Sequence, residues 1–140
     1  MNRIISFIFI INIIYSCSVE NNIETLNGYW EIESVKKKGQ LIKKYPFSNT
    51  IDFFQIEGLK GYRKKVTPKS NGRFMVTLHQ ADLSISKEKG KFILKYLNKS
   101  KSYFEKILKI DSKQLIILDK EGYIYKYNRY TPLEINIDGE

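Results

Sequence analysis

What most constrains this chain is a period of two. From Gly28 to Tyr130 the sequence runs as short stretches of β-branched and aromatic residues in which apolar and polar positions alternate, with hardly any helical spacing. The alternation predicts strands at residues 28–36, 50–56, 59–66, 73–79, 82–86, 92–97, 103–110, 114–118 and 123–130. The fourth and fifth can also be read as one bent strand, so the count is eight or nine. Between them stand Glu57-Gly58, Ser70-Asn71-Gly72, Glu88-Lys89-Gly90, Asp111-Ser112-Lys113 and Lys120-Glu121-Gly122. These are turn sequences, several with glycine where a positive φ is expected. Strands joined so tightly are antiparallel neighbours. An all-β, antiparallel meander with one buried face closes most economically as an up-and-down barrel of eight to nine strands, because closure removes the unpaired edges.

Alternation also sorts side chains by face. Tyr123, Tyr125, Tyr127 and Arg129 share one face of the last strand. Trp30, Ile32 and Ser34 oppose Glu31, Glu33 and Val35 on the first. Phe92, Leu94 and Tyr96 oppose Ile93, Lys95 and Leu97. One connection is long: residues 37–49 carry Pro46 together with Leu41, Ile42, Tyr45 and Phe47, and are expected to form a loop over the barrel mouth.

The N-terminus has a different grammar. After Arg3 the chain is apolar from Ile4 to Tyr15, interrupted only by Ser6 and Asn12, which is the pattern of a secretory signal. At about 12 residues it is shorter than the ~20 a spanning helix needs. Ile14-Tyr15-Ser16-Cys17 resembles the lipobox of bacterial lipoproteins, with Tyr15 an unusual occupant of its position. Cys17 is the only cysteine, so no intrachain disulfide can form, and acylation explains its place better than packing. The resemblance implies a signal at residues 1–16, lipidation of Cys17, a membrane anchor and a location in the bacterial cell envelope. Residues 17–25 then read as a polar tether, 26–130 as the barrel domain, and 131–140 as a tail in which Leu133, Ile135 and Ile137 alternate.

A second resemblance lies in the domain itself. Leu26-Asn27-Gly28-Tyr29-Trp30 resembles the Gly-x-Trp motif that opens the first strand of lipocalins. In that family the tryptophan closes one barrel end and an arginine near the end of the last strand packs across it. Arg129 stands where that arginine would be. The resemblance covers Leu26 to Tyr130 and implies a lipocalin-like barrel closed by Gly28, Trp30 and Arg129. The chain departs from ordinary lipocalins in its shortness, in lacking the Thr-Asp-Tyr motif and disulfides, and in showing no C-terminal helix. It looks most like the small lipocalin-like lipoproteins of bacterial envelopes.

The charge is +9, or +8 once Arg3 leaves with the signal. Abundant lysine, isoleucine and asparagine beside a single alanine explain it as codon bias, and export argues against a nucleic-acid partner. The basic pieces at residues 36–38, 43–44 and 63–65 are read as solvated or membrane-proximal surface. Asn98-Lys99-Ser100, though a sequon, is read as a lysine-rich turn.

No cofactor or metal site is expected. His79 is the only histidine and has neither a second histidine nor a nearby cysteine to build one with. No nucleophile elbow or phosphate loop occurs, which points away from an enzyme. The tyrosines are more informative. Tyr96, Tyr123, Tyr125 and Tyr127, with Tyr45 and Phe47 at the mouth, either line a pocket for a small amphipathic ligand or fill the barrel. A filled barrel leaves an interaction module for an envelope protein partner, such as an inhibitor or an assembly subunit.

Overall fold

A computed structural model of the chain describes residues 22–97 and 103–132. Residues 1–16, Cys17, Asn98-Lys99-Ser100 and the alternating Leu133, Ile135 and Ile137 lie outside the described residues. A short 3-10 helix, Ile23–Leu26, leads into nine strands: β1 (Gly28–Lys37), β2 (Gln40–Lys44), β3 (Ile51–Glu57), β4 (Lys60–Pro68), β5 (Phe74–Glu88), β6 (Lys91–Leu97), β7 (Tyr103–Ile110), β8 (Gln114–Asp119) and β9 (Tyr123–Tyr130). All pairings are antiparallel, in the order β2-β1-β3-β4-β5-β6-β7-β8-β9, and β1 also pairs with β9. β1 and β3 to β9 therefore form a closed eight-stranded ring, and β2 lies outside it.

Several local features differ from the expectation drawn from pattern alone. The last part of the expected tether is ordered: the Asn22 side chain accepts the Glu24 N–H at 3.0 Å, and Leu26 is fully buried beneath the barrel. The expected mouth loop contains a strand. Lys38 and Gly39 both adopt positive φ, 49° and 75°, which is what a two-residue hairpin turn requires, so β2 folds straight back onto the last residues of β1. Of the two readings of residues 73–79 and 82–86 the structure takes the single strand, because Gln80, Ala81 and Asp82 keep their ladder partners Lys64, Arg63 and Tyr62 on β4. Ladder pairing there outweighs the polar character of the segment. Val35 is buried although alternation puts it outside, since the β1–β9 register slips between Ile32 and Ser34.

One end of the barrel is plugged. Trp30 is fully buried and donates its indole N–H to the Leu26 carbonyl at 2.9 Å. The Arg129 guanidinium lies 3.7 Å above the indole ring and donates to the carbonyls of Thr25 and Asn27, both at 2.6 Å. Gly28 makes the fit possible: its φ is +109°, and a Cβ there would stand 3.0 Å from Arg129 Nη1. Above the plug, Phe54, Leu83, Leu94, Leu115 and Ile117 fill the interior from four strands, β3, β5, β6 and β8.

Candidate functional site

β7 begins at Tyr103 and ends beside Ser112, whose carbonyl accepts from Arg129 Nε at 3.2 Å. The start of β7 and the end of β6 thus mark the end of the barrel away from the plug. There a cavity of about 660 Å³ opens, lined by Arg63, Lys64 and Lys65 of β4, His79, Gln80 and Ala81 of β5, Tyr96 and Leu97 of β6, and Tyr103 and Glu105 of β7. That volume is in the range of small-molecule sites.

Its floor is a polar network resting on the apolar core. Arg63 sits on the inward face of β4, between Tyr62 and Lys64 on the outer face, where the Lys64 ammonium lies 4.9 Å from the Tyr62 ring. The Arg63 guanidinium is 5.0 Å from the Phe54 ring. Through Nη1 it donates to the Tyr96 hydroxyl at 3.0 Å and to Glu105 Oε2 at 3.2 Å. Through Nη2 it donates to Asp52 Oδ2 at 3.0 Å and to the Tyr127 hydroxyl at 2.9 Å. Tyr96 donates in turn to Glu105 Oε2 at 2.8 Å, and Lys65 Nζ donates to Asp52 Oδ1 at 2.8 Å. Asp52 and Glu105 are buried and the Arg63 side chain is 14% exposed, so the Arg63 contacts are desolvated and charge-assisted, whereas Lys65 reaches Asp52 from an exposed position.

The protonation states follow from the geometry. Burial alone would lower the Arg63 pKa, yet the surrounding Tyr96, Asp52, Tyr127 and Glu105 hold it well above its ordinary value. Burial likewise pushes Asp52 up, but Arg63 and Lys65 outweigh it and hold the carboxyl below its usual value. Burial raises the Tyr96 and Tyr127 hydroxyls despite the opposing Arg63 charge, so both stay protonated donors at neutral pH. Two cations face two carboxylates, leaving a floor rich in hydrogen-bonding groups with no surplus charge. Nothing in the arrangement resembles a nucleophile with its base, and among the described residues no cluster of His, Cys, Asp or Glu is placed to hold a metal ion.

The residues singled out from sequence are distributed unevenly around this cavity. Tyr96 lines it, and Tyr127 is buried in its floor against Arg63. Tyr125 donates to Asp119 Oδ2 at 3.1 Å and, mainly through burial and that carboxylate, has its hydroxyl pushed up to about 12. Tyr123 lies under the Lys37 ammonium at 4.1 Å. Tyr45 packs beneath Lys43 at 4.5 Å, and Phe47 is 77% exposed. These four do not line the cavity, and Tyr45 and Phe47 fall away from it because β2 carries residues 40–44 along β1 instead of across the mouth. Arg63, Asp52, Lys65 and Glu105 are absent from the set drawn from sequence. A signal did exist: Asp52 alternates in step with Phe54 and Ile56, and Glu105 with Ile107, so two carboxylates fall on apolar faces and call for an internal cation.

A closed antiparallel barrel plugged at one end and hollow at the other is a lipocalin-like architecture. No family model matches the chain, and no curated protein matches it. Among solved structures, apocrustacyanin C2 matches over 84% of this chain and 67% of its own, with 14% identity and a TM-score of 0.50. Lobster apocrustacyanin A1 matches over 81% and 66%, with 14% identity and a TM-score of 0.49. A lipocalin-like protein from Bacteroides uniformis matches over 76% of this chain and 99% of its own, with 11% identity and a TM-score of 0.47. The chain spans about two thirds of the length of the crustacyanin chains it matches. At such identities the likeness is one of fold.

Proposed function

We propose that this protein is a lipid-anchored binding protein of the bacterial cell envelope, holding a small amphipathic ligand in the open end of its barrel. The observation that carries the reading is the cavity of about 660 Å³ with Arg63, Tyr96 and Glu105 on its floor and Leu97 and Tyr103 on its wall. The polar end of a ligand meets donors and acceptors held in fixed geometry, and its apolar body lies against the wall. The anchor rests on the lipobox-like Ile14-Tyr15-Ser16-Cys17. Acylation there supplies the two or more chains that stable anchoring needs.

Binding is tested with a fluorescent fatty acid probe titrated into the protein. Saturable enhancement is expected, together with at least tenfold weaker binding by Ala81→Trp, whose ring would occupy the cavity while the near-UV circular dichroism of the barrel is retained. A wild-type protein that shows no saturable binding of amphipathic probes removes the ligand reading. The anchor is tested separately: Cys17→Ser should abolish palmitate incorporation, and equal labelling of both proteins would refute acylation at that residue.

A further inference from the structure

The hairpin formed by the end of β1 and by β2 belongs neither to the cavity nor to the core. Every residue of β2 is exposed. Leu41 and Ile42 each expose 56% of their surface, and Phe47 just beyond exposes 77%. Ile42 is the residue left without a ladder partner where the β1–β2 register slips, and it follows Leu41, which pairs with Lys36. Around them are Lys36, Lys37, Lys38, Lys43 and Lys44, and from Ser34 to Thr50 the sequence contains no aspartate or glutamate. The far edge of β2 pairs with no strand among the described residues.

We infer that this hairpin docks onto an anionic phospholipid surface, with the lysines at headgroup level and Leu41, Ile42 and Phe47 inserted at the boundary between headgroups and acyl chains. Charge complementarity favours that occupant, since each lysine near an anionic leaflet adds to attraction while nothing in the segment repels it. The edge itself argues against a protein partner that would add a strand. Lysines along an exposed edge oppose ordered pairing with another chain, whereas a fluid surface needs no register. The β4–β5 hairpin adds a second patch beside β1: Phe74 stacks on Tyr29 at 4.6 Å, and Met75 and Val76 are 55% and 53% exposed. The inference does not depend on the cavity or on the chemistry of the N-terminal anchor.

The test uses the full chain reconstituted into vesicles, so that whatever holds the N-terminus is common to every arm. Phe47→Trp supplies a reporter indole, with buried Trp30 as a constant background. In vesicles of phosphatidylglycerol and brominated phosphatidylcholine the reporter should be quenched and shifted to the blue, and raising the salt should reverse both. Adding Lys36→Gln and Lys44→Gln should weaken docking roughly fivefold per lysine. Barrel integrity is followed by the unchanged Trp30 emission. Equal quenching in vesicles of phosphatidylcholine alone, or no quenching in anionic vesicles, overturns the inference. So does an outcome in which polyglutamate shields the indole and anionic vesicles do not, since the surface would then fit an acidic protein.

Discussion

Trp30 and Arg129 show how a single contact can be both covalently remote and energetically local. The indole is fully buried, its N–H is satisfied by Leu26, and its upper face is covered by a guanidinium that also satisfies two carbonyls of the chain entering the barrel. Trp30→Ala should therefore cost about 3 to 5 kcal/mol through the cavity it leaves. Arg129→Ala loses an attraction of roughly 0.5 to 2 kcal/mol over the ring, and should destabilise less. Urea unfolding midpoints of the two variants test the order, and a larger loss from Arg129→Ala would show that closure rests on the carbonyl contacts instead of on the indole.

At the scale of elements, pairing and burial make opposite demands on neighbouring hairpins. Gly61 on β4 faces Ile56 on β3 so closely that a Cβ would collide with the Gln55 carbonyl oxygen and with Ile56 itself. Gly61→Ala should then destabilise by about 1 to 3 kcal/mol, as an overpacked position. β2 presents the contrary case, because none of its side chains is buried. Leu41→Ser and Ile42→Ser should leave stability within about 0.5 kcal/mol of the parent. Thermal unfolding distinguishes the two hairpins, and a loss at Leu41 or Ile42 comparable to that at Gly61 would mean that β2 supports the ring it borders.

Across the whole molecule, the Arg63 network ties together β3, β4, β6, β7 and β9 through Asp52, Tyr96, Glu105 and Tyr127. Removing one partner of a buried pair is costly, of order 3 to 5 kcal/mol, since the remaining charge keeps its desolvation. Asp52 also makes the barrel acid-sensitive. Its carboxyl is held below its unfolded value, so its contribution is fully present above about pH 4 and is lost as pH falls through the lower folded value. Asp111 is lowered too, because the backbone N–H groups of Lys113 and Gln114 donate to it at 2.8 and 2.7 Å. Denaturant midpoints measured from pH 6 to pH 3 should fall for the wild type and fall less steeply, without becoming flat, for Asp52→Asn. Identical slopes would show that Asp52 is not held low in the folded barrel.

The period of two, the turn glycines and the short connections were enough to set a closed antiparallel meander, because strand burial and hairpin geometry are properties of neighbouring residues. Residues 36–44 were less legible: Lys38-Gly39 is not a common hairpin turn sequence, and its positive φ angles become visible only in the folded backbone. The candidate site was legible only in fragments. Tyr96 and Tyr127 follow from alternation, but Arg63 sits in a run of basic residues that reads as surface. The side on which it falls depends on the register of β4 against β3 and β5. Local sequence determined which faces were apolar. Closure alone decided which polar groups from five strands would meet within them, since only the tertiary structure brings Asp52 of β3 and Glu105 of β7 to one guanidinium.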